Sequence, residues 1–159
     1  MDYYQKIVQI APATAEAQGI LGFCYQVLGQ QETAKIFYQK ALVLRPQFFW
    51  FNYNLALLYA QDKEYLKAIE LLKPVLSVKI NDHLEFIYGS GIYRQIFSRQ
   101  PGLGKYIFNS LENGYQNAVL LLAFCHKELT GEDVQIPKEL FPGVDVEKLG
   151  PIEVRPKLL

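Results

Sequence analysis

The side chains able to do chemistry are few. Two cysteines, Cys24 and Cys125, and two histidines, His83 and His126, are all the thiols and imidazoles in 159 residues. Cys125 and His126 are adjacent, the one pairing worth weighing as a thiolate–imidazole nucleophile. Such a pair must face each other, whereas neighbours on a helix diverge by about 100°. Two histidines and no Cys-x-x-Cys leave a zinc site short of ligands. There is no His-Glu-x-x-His and no Gly-x-Ser-x-Gly, and Gly102-Leu103-Gly104 is too short a fragment for a phosphate cradle. The expectation is a chain with no catalytic residues, no cofactor and no metal, in which both cysteines are small buried apolar groups.

Charge narrows the partners. Sixteen basic residues balance sixteen acidic ones, and no basic run stands out. Non-specific binding to nucleic acid or to an acidic membrane therefore has no electrostatic basis. The longest apolar run, Ala118 to Cys125, is far short of the ~20 residues of a membrane span, so direct membrane insertion is not expected. The start, Met-Asp-Tyr-Tyr-Gln-Lys, lacks the basic and apolar regions of a secretory signal. Cys24 and Cys125 do not form a disulfide framework, which favours a reducing compartment and a cytoplasmic location.

What positions these residues is a period. Leu21-Gly22-x-x-Tyr25 is followed by Gly29, Ala34, Tyr38, Ala41 and Pro46. A shift of 34 residues lands on Leu55-Ala56-x-x-Tyr59, then Lys63, Ala68, Leu72 and Val75; the reverse shift lands on Tyr4, Ile7 and Pro12. Small positions stay small and apolar ones stay apolar, as in stacked helix pairs whose axes approach closely. Gly29 and Gln61-Asp62-Lys63 make turns, and Pro46 stops a helix. The spacing predicts helices near 3–10, 14–28, 32–45, 48–61 and 64–77.

In this order and period the sequence resembles the tetratricopeptide repeat family. The resemblance implies an all-α, right-handed superhelical array of antiparallel helix pairs. It would occupy 1–130, as a half repeat at 1–13, repeats at 14–47 and 48–81, a degenerate repeat at 82–114 and a terminal helix at 115–129. His126 stands where the family has a packed tyrosine, which implies a core histidine. The family works as a non-enzymatic scaffold or adaptor that holds a peptide or helix of a protein partner in a groove. Mapped here, the groove comprises Phe23, Gln26, Val27, Trp50, Tyr53, Leu57, Gln61, Ile87 and Arg94. Of the residues with which one branch clamps a terminal carboxylate, only Asn54 stands in place, so that ligand is not implied. A competing reading makes the chain a structural self-assembly module, a homo-oligomer meeting its neighbours through Tyr3, Tyr4, Ile7 and Val8. Another makes it a fragment of a larger multi-repeat protein of a secretion or envelope assembly.

Beyond residue 80 the pattern fades. Asp82-His83-Leu84-Glu85 reads as a helix start. A turn is expected at Arg99-Gln100-Pro101, then a short or irregular helix over about 101–112 that Asn113-Gly114 ends. The next helix, near 116–129, is apolar on every side and needs cover. The tail at 131–159 is interrupted by Pro137, Pro142, Pro151 and Pro156 yet rich in apolar residues. It is expected to wrap back as an irregular cap, with Ile136, Leu140, Phe141 and Val144 to Leu149 on that helix.

Overall fold

A 34-residue repeat made of two helices needs two turns per period, and each turn must be written in residues that break a helix. The computed structural model describes residues 13–78, 99 and 101–133, the side chains of 101 and 103–108 excepted. Its helices among these residues are α1 (Ala15–Val27), α2 (Gln31–Leu44), α3 (Phe49–Gln61), α4 (Tyr65–Leu76) and α5 (Pro101–Thr130), and no strand is present among them. They fall into two units that divide between Val75 and Leu76. None is long and apolar enough to cross a membrane.

The caps explain the boundaries. Thr14 Oγ1 accepts from the Ala17 amide at 3.2 Å, and Glu16 lies in the first turn, where the helix dipole favours an anion. α1 ends at Gly29 with φ +75°, the Gly29 amide bonding Gln26 O and the Gln30 amide bonding Tyr25 O. The same closure recurs one period later. Lys63 has φ +63°, its amide bonds Ala60 O, and the Glu64 amide bonds Tyr59 O. Between the repeats, the buried Asn52 donates through Nδ2 to Pro46 O (2.8 Å) and Phe48 O (2.9 Å), tying the proline turn to α3.

Small residues set the helix spacing. A Cβ on Gly22 would lie 2.8 Å from the Tyr38 ring, and one on Gly19 would lie 2.1 Å from the Phe51 ring. The repeated alanines Ala34, Ala56 and Ala68 are fully buried, as is Tyr38. Tyr25 stacks on Phe37 at 5.3 Å.

α5 corrects one expectation. The helix runs unbroken through Asn113-Gly114, and Gly114 does not take a positive φ. An Asn-Gly pair costs a helix on the order of 1 kcal/mol. The buried stripe Leu111, Gly114, Tyr115, Ala118, Leu121 and Cys125 continues at three- and four-residue steps across the junction, and packing overrides that preference. Nor is the helix enclosed all round: Phe124 is 43% exposed. The expected helix at 3–10, the repeat start at 82–98 and the capping residues Ile136 to Leu149 lie outside the described residues.

Candidate functional site

On α1 the positions Glu16, Gly19, Phe23 and Val27 share one stripe; Trp50, Tyr53, Leu57 and Gln61 repeat it on α3, each 34 residues on. The two stripes end up in different environments. Val27 is 62% exposed, and Phe23 is half-buried. Gln26 is half-buried and accepts from the Tyr38 hydroxyl at 2.8 Å. Gln61 is exposed, its Oε1 accepting from Gln31 Nε2 at 3.2 Å.

Trp50, Tyr53 and Leu57, expected to floor an open groove, are 2%, 0% and 0% exposed. The reason lies in α3 itself, which is buried at every position from 49 to 58. A helix apolar around its whole circumference is stable only when enclosed. Within it the rings pack on each other. Phe49 stacks on Tyr53 at 6.0 Å, and Trp50 stands edge-on to Phe49 (5.1 Å) and to Tyr53 (6.2 Å). Burial pushes the Tyr53 hydroxyl up to about 12. Among the described residues, neither Trp50 Nε1 nor Tyr53 Oη has a hydrogen-bond partner. Ile87, Arg94, Tyr3, Tyr4, Ile7 and Val8 lie outside the described residues.

An open surface lies elsewhere in this unit. Gln39, Leu42 and Val43 of α2, Leu55 and Tyr59 of α3, and Lys67, Glu70 and Leu71 of α4 line a groove of about 590 Å³. Val43 on its wall is 80% exposed. The sequence held one signal for this groove. Ile36 and Val43 are apolar and seven residues apart on α2, opposite the buried face of Ala34, Tyr38 and Ala41. An apolar pair on the solvent side of an amphipathic helix marks a surface with another use.

A charged clasp holds the groove's floor. The Tyr59 ring lies 5.5 Å from Lys35 Nζ and 5.1 Å from Lys67 Nζ, and its hydroxyl accepts from Gln39 Nε2 at 2.8 Å. Lys35 is buried and pairs with Asp62 and with Glu32 at 2.7 Å; Lys67 pairs with Glu64. Desolvation pulls the Lys35 ammonium down, but its hydrogen bonds to Asp62 and Glu32 more than offset this and hold it above the usual lysine value.

The one candidate for nucleophilic chemistry is badly placed for it. Cys125 is fully buried, and burial pushes its thiol up to about 11, so it stays protonated at neutral pH. His126 is half-buried and not a core residue, with Nδ1 3.2 Å from Thr130 Oγ1 on its own helix. Cys24 is half-buried too, with burial raising its thiol.

Comparison with known proteins agrees with this geometry. Residues 15–48 and residues 37–70 each match the tetratricopeptide repeat family. Over 68 residues the chain is 37% identical to a protein of Pyropia yezoensis described as uncharacterized protein ycf37. That match covers 43% of this chain and 38% of the relative, so the chain spans well under half of that protein's length. No solved structure matches.

Proposed function

From tetratricopeptide repeats at residues 15–70, we propose a protein-binding module that seats an apolar partner segment in the groove between α2 and α4. The observation that carries this reading is Val43, 80% exposed on the wall of a groove whose other apolar lining is Leu42, Leu55 and Leu71. A soluble protein gains nothing by leaving such a cluster wet, whereas a partner that inserts two or three apolar side chains removes it from water. The groove's rim carries one cation, Lys67, and one anion, Glu70, which favours an uncharged segment with polar ends. Affinity comes from filling this depression, and Tyr59, fixed between two lysines, gives its floor a rigid ring.

The test is capture of binding partners by wild type and by Val43→Asp, followed by reconstitution of each captured pair from purified components. Because Val43 is exposed, the substitution should leave stability within about 0.5 kcal/mol. A partner that binds both chains equally would rule the groove out. Sedimentation of the wild type alone separates this reading from self-assembly: a monomer that takes up a partner supports it, and a concentration-dependent oligomer that Val43→Asp leaves intact counts against it.

A further inference from the structure

A proline stands in α4 where the helix needs a donor. Pro74 lies inside that helix and has no N–H to give to the carbonyl four residues back, that of Glu70. Glu70 is also one of the two charged residues on the rim of the α2–α4 groove, and both Glu70 and Pro74 are exposed. Its carboxylate adds a second acceptor at the same place. Among the described residues Glu70 forms no ion pair, whereas the rim's cation, Lys67, is paired with Glu64 and lies over the Tyr59 ring. We propose that the segment seated in this groove carries an arginine, whose guanidinium is held by the carboxylate and the main-chain carbonyl of Glu70 while the segment's apolar side chains fill the depression beside it. This inference rests on the reading of the groove as a binding surface and adds the chemistry of what enters it.

Helix geometry puts both acceptors on the groove side. Lys67, Glu70, Leu71 and Pro74 recur at steps of three and four, so they share one face of α4, the face that walls the groove. Lys73, the other cation close to Glu70 in sequence, falls on the flank of Glu70 away from Leu71 and the groove. The proline ring also crowds the Glu70 carbonyl, so the helix opens at that carbonyl and does not close over it. A ligand that displaces water from this lip has to bring donors in exchange. A carboxylate or phosphate would bring acceptors to acceptors. Across the groove the Gln39 amide nitrogen is already engaged with Tyr59 Oη, and Lys67 is balanced by Glu64 one turn away. An ammonium offers a compact, strongly hydrated point charge, whereas a guanidinium presents a planar fork of N–H donors that can bond a carboxylate and a carbonyl together. Its weaker hydration also lowers the cost of leaving water beside Leu71. The segment is therefore uncharged along its apolar stretch and cationic at the polar end that meets α4.

The probes are peptides from a randomised dodecamer library displayed to the intact chain, kept only where wild type binds them and Val43→Asp does not. The expected result is an arginine at a fixed spacing from two or three apolar residues. Affinity should fall roughly tenfold for Glu70→Gln, or when the peptide's arginine is replaced by glutamine, and no further when the two changes are combined. Lysine in place of that arginine should recover only part of the loss. Pro74→Ala gives the Glu70 carbonyl a donor within its own helix, so it should weaken the same peptides while melting no lower than wild type. A proline that only shaped the helix would not link lower affinity to undiminished stability. Groove-dependent peptides without a preference for arginine overturn this inference and leave the groove reading standing, whereas the absence of any peptide sensitive to Val43→Asp overturns both. Equal binding by Glu70→Gln or by Pro74→Ala overturns it as well.

Discussion

The repeats α1–α2 and α3–α4 share a backbone and differ in what they do with it. Both close their first helix with a positive-φ residue, Gly29 and Lys63, one period apart. Both place an alanine at the start of the second helix's buried face, Ala34 and Ala68. On the equivalent stripe, however, Glu16, Gly19, Phe23 and Val27 become Trp50, Tyr53, Leu57 and Gln61. The first set leaves Glu16 and Val27 exposed; the second buries everything before Gln61. The repeat therefore specifies where the chain turns and how closely helices approach. Side-chain size at the remaining positions decides which face is core and which is surface.

The largest effect should come from that stripe. Leu57→Ala empties a site with no exposure and should cost about 2–5 kcal/mol. Its counterpart Phe23→Ala, at a half-buried position, should cost clearly less despite removing more atoms. Urea denaturation of the two variants measures the contrast, and equal losses would mean the repeats are packed alike.

A smaller difference is set by pH. Folding raises the Tyr53 hydroxyl to about 12 and also raises Tyr38 and Lys35. Groups raised on folding stabilise fully below their unfolded values, near 10 for these types, and lose that stabilisation as pH rises through the folded values. Stability should therefore fall between about pH 10 and 12, Tyr53 accounting for roughly 2–3 kcal/mol of the loss. Gly19, at the equivalent position in the first repeat, has nothing to ionise. In Tyr53→Phe the alkaline decline should be shallower; an unchanged slope would place the titrating groups elsewhere.

The helices were legible because their punctuation is local. Gly29, Pro46 and the Gln61-Asp62-Lys63 turn act within a few residues, and the expected spans 14–28, 32–45, 48–61 and 64–77 differ from the observed ones by at most one residue at either end. The open groove was not legible, because it draws on three helices and no spacing within any one of them joins Val43 to Leu55 and Leu71. The burial of Trp50 was not legible either, for a related reason. A helical wheel says which residues share a face and says nothing of what lies against it. At Asn113-Gly114 a weak local signal lost to a buried stripe that runs through it.

The smallest effect should also be opposite in sign between the repeats, which makes it the sharpest check of their equivalence. Gly29 and Lys63 occupy the same left-handed turn with φ of +75° and +63°, and both turns use the same pair of main-chain hydrogen bonds. A side chain in that region crowds the following carbonyl, at a cost of about 1–2 kcal/mol, while glycine escapes it. Nothing lies within 4 Å of where a Cβ on Gly29 would be, so backbone conformation alone decides the outcome there. Gly29→Ala should accordingly destabilise by about 1 kcal/mol. Lys63→Gly relieves the crowding but gives the unfolded chain more freedom, so the net gain should be smaller, on the order of 0.5 kcal/mol. Thermal melts of both variants should then shift in opposite directions by a few degrees at most. A Lys63→Gly variant that melts lower than wild type would show that the lysine side chain holds the second turn through contacts glycine cannot replace, and that the two turns are alike in backbone only.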